Sequence, residues 1–395
     1  MNILFLHYLP ISPSSGGVER VTYLLSEEFL KRGYGISFLS LSERDKGKPA
    51  QTVFSQEYIN FVPSQKTEFS EAIESFLKNE SIDIVVVLSL TDATKAALKI
   101  INKKGIPSIS VLHNQPFALI GKERIVKRLT PWNSLESRGR MMKLLALLSP
   151  PLFRKIYIRR TASNYREFID ISTRFMLLSE RYKPRLLQGL NGINTKSIIA
   201  INNPITFQFA PESIDFEGKE NIVLFMARLT NPQKNITGFI DVWKKFEESH
   251  PGWKAIVLGD GEHSDLAKDY ARRNGARNLS FEGNRKNVED YYRKAKIYCM
   301  TSTYEGWPMV IMEAMAFGCV PIAYESFEAV AEMITDGEDG LLVKPFDNKE
   351  MVRKMSLIAD SDAIRGKLMA GGIKKISNFT VDKIADQWDE LLKCV

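Results

Sequence analysis

The feature that most constrains the fold is an alternation of short apolar runs with amphipathic helical stretches, and the chain goes through it twice. NILFLHY (2–8), GISFLSL (35–41), IDIVVVLSL (82–90), IPSISVLH (106–113), TRFMLLS (173–179) and SIIAIN (197–202) read as strands. Their near-continuous apolarity is that of parallel strands covered on both faces. Helical patterns follow the first loop and VLSL (87–90), with stops at Gly33 and Gly105. The grammar restarts with NIVLFMARL (221–229), WKAIVLGDG (253–261), NLSFEG, KIYCMTS, CVPIAY and GLLVKP. Helices are expected at 263–274, 287–295, from Pro308, and at 326–335, 347–359, 362–375 and 380–394. Such βα units imply parallel sheets with right-handed crossovers. At roughly 150 residues per domain, 395 residues allow two or three domains. A seam at Asn203–Pro204 gives an α/β architecture of two Rossmann-like domains, 1–203 and 204–375, whose sheet switch points are expected at an interdomain cleft. The charged stretch 42–70 reads as loop and edge structure.

Several function classes drop out. Cys299, Cys319 and Cys394 are far apart, without a C-x-x-C pair, and read as buried free thiols of a reducing cytoplasm. His7, His113, His250 and His263 show no metal-ligand spacing. The N-terminus lacks a basic n-region and reads as a strand, and no run approaches the ~18 apolar residues of a membrane span. Asp360-Ser361-Asp362 lies between two late helices and reads as helix capping rather than a metal–nucleotide site.

The chemistry-bearing residues cluster in loops after strands. In SPSSGGVER, Gly16 and Gly17 open a helix, where bare backbone N–H groups suit a phosphate or sugar; a simple turn is the alternative. Arg228 and Lys234 follow the first strand of the second half and suit a diphosphate; solvated surface cations are the alternative. Glu305 and Glu313 stand eight positions apart in YEGWPMVIMEA, roughly 10 Å along the helix direction. The apolar flanks of Glu313 argue for polyol hydroxyls as its partners. Between them, the N–H groups of Met309 and Val310 open the helix as an anion site.

With these motifs the chain resembles the family 4 retaining glycosyltransferases of GT-B fold, bacterial surface-glycan type. The resemblance rests on GGVERV, RL followed by Lys234, G-D-G at 259–261, F-E-G at 281–283, E-x(7)-E, and DGEDGLLV at 336–343. It implies that Glu305 contacts the transferred sugar, that Glu313 contacts the nucleotide ribose, and that Arg228 and Lys234 hold the diphosphate. It further implies that Asn284 and Arg285 meet the nucleobase and that His113 lies near the reacting sugar. Gly259 and Trp307 join the expected donor pocket, and helix 376–395 is expected to pack back on the first domain. The chain departs from the family pattern at three sites: Ala227 replaces a glycine, Trp307 a smaller apolar residue, and Glu325-Ser326-Phe327 a small-residue turn.

Charge adds a partner. The net +7 divides into +12 over 1–203 and −5 over 204–395, and 121–166 holds twelve Lys/Arg against Glu123 and Glu136. Around MMKLLALLSPPLF (141–153), those cations suit an interfacial segment on an anionic membrane; a basic insertion covering its own domain is the alternative. No nucleic-acid motif accompanies them. The expectation is a cytoplasmic, peripherally membrane-associated hexosyltransferase at the inner face of the cell membrane. It takes a hexose or N-acetylhexosamine from a nucleotide-sugar, UDP-sugar favoured. Transfer goes with retention, without metal or cofactor, to a hydroxyl of a glycan or lipid-linked glycan. Alternatives are a nucleotide-sugar 2-epimerase and a non-catalytic basic membrane- or polymer-binding protein.

Overall fold

A computed structural model describes residues 1–13, 16–42, 54–120, 137–190, 192–193, 195–215, 217–230 and 233–395. They form two compact units: Met1–Phe117 with Ile158–Thr206 and Phe379–Val395, and Ala118–Tyr157 with Phe207–Asn378.

The first unit is built on seven parallel strands: β1 (Asn2–His7), β2 (Gly35–Ser40), β3 (Ser55–Tyr58), β4 (Ile84–Val87), β5 (Ser108–Leu112), β6 (Arg174–Leu177) and β7 (Ile198–Ala200). Their order is β3-β2-β1-β4-β5-β6-β7. β4 reads IVVV and is buried throughout, as a central strand covered on both faces must be. Helices α1 (Gly17–Lys31), α2 (Lys66–Asn79) and α3 (Asp92–Asn102) make the early crossovers. Between β5 and β6 come α4 (Ser137–Leu148) and α5 (Pro150–Ile171), and between β6 and β7 the short α6 (Lys183–Gly189).

The second unit has six parallel strands: β8 (Glu220–Met226), β9 (Lys254–Leu258), β10 (Leu279–Gly283), β11 (Ala295–Met300), β12 (Val320–Tyr324) and β13 (Leu341–Val343). They are ordered β10-β9-β8-β11-β12-β13. The intervening helices are α7 (Ile236–Ser249), α8 (Ser264–Asn274), α9 (Val288–Lys294), α10 (Met309–Ala316), α11 (Val330–Met333), α12 (Asn348–Asp360) and α13 (Asp362–Ile376). Phe239, Trp243 and Phe246 on α7 pack on Val223, Phe225 and Val257 of the sheet to make its core. In both sheets the order reverses beside the first strand, between β1 and β4 and between β8 and β11. That reversal opens a crevice at the strands' carboxyl ends, where α/β sheets take ligands.

The last helix, α14 (Val381–Lys393), belongs to the first unit. It buries Ile384, Ala385, Trp388 and Leu392, spacings that fall on one face. Trp388 meets Phe29 of α1 edge-on, and Arg32 binds Asp386 and Asp389, each at 2.8 Å.

Several elements differ from expectation. The described part of the stretch 42–70 contains β3, an edge strand as expected, and, where a loop was expected, the start of α2, whose buried Phe69, Ile73 and Phe76 recur at helical spacing beneath a charged surface. The helix expected at 326–335 is reduced to α11, four residues. Residues 118–157 group with the second unit, although the seam at 203 places them in the first. They contribute no described strand, so no sheet register ties them to either. Lys122, Glu123, Arg124, Lys127, Arg128 and Glu136 lie outside the described residues, as does the side chain of Arg138. Of the cysteines, Cys299 and Cys319 are buried and free, whereas Cys394 is exposed. Ser361 caps α13, its hydroxyl accepting from the Ile364 N–H.

Candidate active site

The second unit concentrates the expected residues where its strand order reverses. The loops leaving β8 and β11 are stitched together there. The Thr303 N–H donates to the Gln233 carbonyl at 2.7 Å, and the Thr301 hydroxyl donates to the carbonyls of Asn235 at 3.0 Å and Lys234 at 3.3 Å. Asn235 then starts α7 as its cap in a left-handed conformation, its side chain accepting from the Gly238 N–H. This framework presents Lys234 to Glu305: Nζ and Oε1 lie 2.6 Å apart, with the carboxylate buried. Gln233 Nε2 stands 3.4 Å from the other carboxylate oxygen. A carboxylate taken out of water needs such partners, and removing one member of a buried pair costs about 3–5 kcal/mol. Lys234 is therefore held against the Glu305 carboxylate at the carboxyl edge of the sheet. The Tyr304 hydroxyl is pushed up to about 12, chiefly by burial and then by neighbouring Glu305.

Beyond Glu305, Trp307 is buried and Pro308 precedes α10 as its cap. Met309 and Val310 are the first two helical residues and half-buried, so their N–H groups lack intrahelical acceptors and face outward from the helix start. Glu313, one turn further, is buried and accepts from the Tyr292 hydroxyl at 3.0 Å.

Four further predicted residues lie outside the Lys234–Glu305 contact. Arg228 is exposed just past β8, its N–H-side neighbour Ala227 bonded to the Leu258 carbonyl. Gly259 has a packing reason of its own: at φ +108°, an added Cβ would lie 2.0 Å from the Ala227 carbonyl oxygen. Asn284 and Arg285 are exposed in the loop after β10, with Arg285 bound to Glu282 at 2.6 Å.

The first unit carries Gly16, Gly17 and His113. Gly16 caps α1 in extended conformation without a side-chain cap, and Gly17 is its first residue. His113 closes β5, and neither ring nitrogen has a hydrogen-bond partner although both are buried. Burial, then the charge of His7, pushes His113 down to about 3. His7 closes β1 and is likewise lowered by burial, against a hydrogen bond to the Leu9 carbonyl and the nearby charge of Glu19. Both imidazoles are neutral at physiological pH, able to hydrogen-bond but not to serve as standing cations.

Gln233, Tyr292 and His7 were not singled out from the sequence. Gln233 and His7 had a signal, since one adjoins Lys234 and the other ends a strand. Tyr292 had none, because only the tertiary fold brings α9 to Glu313.

Two family models match the chain: Glycosyl transferases group 1 over residues 206–374 and Glycosyltransferase Family 4 over residues 15–161. The chain belongs to glycosyltransferase family 4. An uncharacterized glycosyltransferase of Haemophilus influenzae is 22% identical over 393 residues, covering 96% of this chain and 97% of that protein. A Campylobacter jejuni enzyme, named as the α-1,4-N-acetyl-D-galactosaminyltransferase of a GalNAc-containing diNAcBac-PP-undecaprenol, is 28% identical over 203 residues. That alignment covers 50% of this chain and 55% of the enzyme. Anabaena HepE, crystallised with UDP-glucose, superposes with a TM-score of 0.75 at 19% identity over 100% of both chains. The fold of this family 4 glycosyltransferase is GT-B, its two parallel sheets being the two Rossmann-like domains of that class.

Proposed function

We propose that the chain transfers a hexose or N-acetylhexosamine from a UDP-sugar to a hydroxyl of a lipid-linked glycan, with retention and without metal, at the cytoplasmic face of a membrane. The observation that carries the donor half is the Lys234–Glu305 pair beside the start of α10. In this reading the diphosphate draws Lys234 and lies against the N–H groups of Met309 and Val310, with Arg228 completing its charge. As the bond to the sugar breaks, these groups stabilise the negative charge growing on the departing diphosphate. Glu305, relieved of Lys234, accepts from the sugar hydroxyls, and Glu313 accepts from the ribose. The acceptor hydroxyl attacks from the departing side and gives its proton to the leaving phosphate. His113, kept neutral by burial, orients the sugar, and Asn284 and Arg285 meet the base. The HepE complex with UDP-glucose supports a UDP donor, and the undecaprenol-linked acceptor of the Campylobacter relative supports a lipid-linked one.

No helix among the described residues is long and apolar enough to cross a membrane. Met141, Leu144, Leu148 and Leu152 are nevertheless exposed, in successive steps of three, four and four residues, with Leu148 at 77%. Arg140, Arg154 and Lys155 are exposed around them. That combination suits an anionic leaflet, at ~1 kcal/mol per docked cation.

The test is nucleotide-sugar turnover followed by NMR. Slow release of free sugar in its original anomeric form, unchanged by EDTA, is expected; interconversion of the nucleotide-sugar, or no turnover with any UDP-sugar, contradicts the reading. Sedimentation with phosphatidylglycerol but not phosphatidylcholine vesicles, lost in Leu148→Glu, tests the membrane half.

A further inference from the structure

Lys219 and Tyr292 belong to no part of the mechanism above, yet both are buried and fully engaged. Helix α9 has seven residues and, like any helix, ends in carbonyls with no partner of their own. The Lys219 ammonium supplies them: Nζ donates to the carbonyls of Tyr292 at 3.1 Å, Arg293 at 3.0 Å and Ala295 at 3.0 Å. Three N–H groups meet three acceptors, and a cation sits at the negative end of the helix. The Tyr292 ring is fixed as well, stacked on Phe317 with centroids 5.9 Å apart and packed at 6.2 Å against Tyr298. Its hydroxyl donates to Glu313 Oε2 at 3.0 Å and lies 3.4 Å from the Val310 carbonyl. One phenol thus ties the carboxylate of α10 to the first turn of the same helix.

We propose that Tyr292 is a positioning residue that orients the Glu313 carboxylate and the start of α10 for the nucleotide, and that the Lys219 ammonium holds Tyr292 in place by capping α9. This rests on the reading of Glu313 as the ribose contact. Tyr292 touches Glu313 rather than the reacting atoms, so its loss costs binding more than chemistry. Lys219 adds a pH dependence. A neutral amine has two N–H groups and a lone pair, so deprotonation leaves one of the three carbonyls without a donor and facing a lone pair. Burial pushes Lys219 down to about 8, opposed by Cys319 and Asp215 and assisted by Arg293 and Arg365. Facing Tyr292 are Glu313, Tyr298 and Cys319, all of which, with burial, raise its hydroxyl, so Tyr292 stays a donor across this range.

The experiment is calorimetric binding of whichever of UDP, GDP or ADP the wild type binds tightest, from pH 7.5 to 9, for wild type, Tyr292→Phe and Glu313→Gln. Tyr292→Phe keeps the ring and removes one charge-assisted hydrogen bond. It is expected to raise Kd about tenfold at pH 7.5 while turnover at saturating donor changes less than about twofold. Wild-type affinity is expected to fall through pH 8, and this fall is expected to vanish in Tyr292→Phe, since the hydroxyl through which Lys219 acts is gone. Unchanged Kd in Tyr292→Phe alongside weakened binding in Glu313→Gln overturns the proposal alone. Unchanged Kd in Glu313→Gln overturns the reading of Glu313 and the proposal with it. A fall that persists in Tyr292→Phe overturns the part played by Lys219, and the wild-type titration needs no variant to fold.

Discussion

Where the strand order reverses, the first unit places His7 at the end of β1, with His113 closing the next strand but one, while the second unit places Lys234 and Glu305 in the loops after β8 and β11. The topology is the same and the electrostatics are opposite. In the second unit two full charges are kept in contact, each available to a ligand that can replace the other. In the first, burial strips the imidazoles of charge, His113 to about 3, leaving hydrogen-bonding groups without a field. A parallel sheet supplies a crevice and helix starts; side chains in the strand-end loops decide whether it receives an anion or a neutral hydroxyl. A diphosphate donor needs the first kind of edge, and orienting a sugar needs the second.

The comparison can be broken most severely at the charged edge. Lys234→Met is expected to abolish transfer, by at least about a thousandfold, and to destabilise the fold by about 3–5 kcal/mol by taking the cation away from the buried Glu305 carboxylate. Adding Glu305→Gln is expected to return most of that stability in urea unfolding while transfer stays lost; a double variant as unstable as the single one denies the pairing. At the neutral edge, His113→Phe is expected to slow transfer about 10- to 100-fold with nucleotide affinity unchanged. The same residue predicts a stability effect with a definite sign. His113 binds its proton less readily folded than unfolded, so stability falls as pH drops below about 6.5, by about 1.4 kcal/mol per pH unit from this group. His113→Phe should flatten that slope, which urea unfolding between pH 6.5 and 4.5 would reveal. The smallest effect is expected at exposed Arg285, already paired with Glu282: Arg285→Ala should shift preference among UDP, GDP and ADP a few-fold at most.

Both edges were unequally legible in the sequence. Glu305 and Glu313 announced themselves, because a carboxylate among apolar residues asks for a partner. The β8, β9 and β11 strands did so through unbroken apolar runs. The pairing of Lys234 with Glu305 was hidden, since it joins loops 71 positions apart. Helix α2 was hidden for a different reason: its three core residues stand among Glu68, Glu71, Glu74 and Lys78, so composition resembled a loop. The cap made by Lys219 was invisible, as a lone lysine before a strand reads as solvated. Gly259 looked like a ligand-binding glycine, and its close approach to the Ala227 carbonyl supplies a structural reason that no one-dimensional motif distinguishes.

The central claim, that the reversal between β8 and β11 receives the nucleotide-sugar, is tested most directly by titrating UDP-glucose and UDP-N-acetylglucosamine into the Lys234→Met/Glu305→Gln double variant by calorimetry. The fold should persist because no buried charge is stranded. The account predicts a Kd weakened at least about 100-fold from wild type for whichever sugar binds. Wild-type affinity in a folded double variant would contradict it.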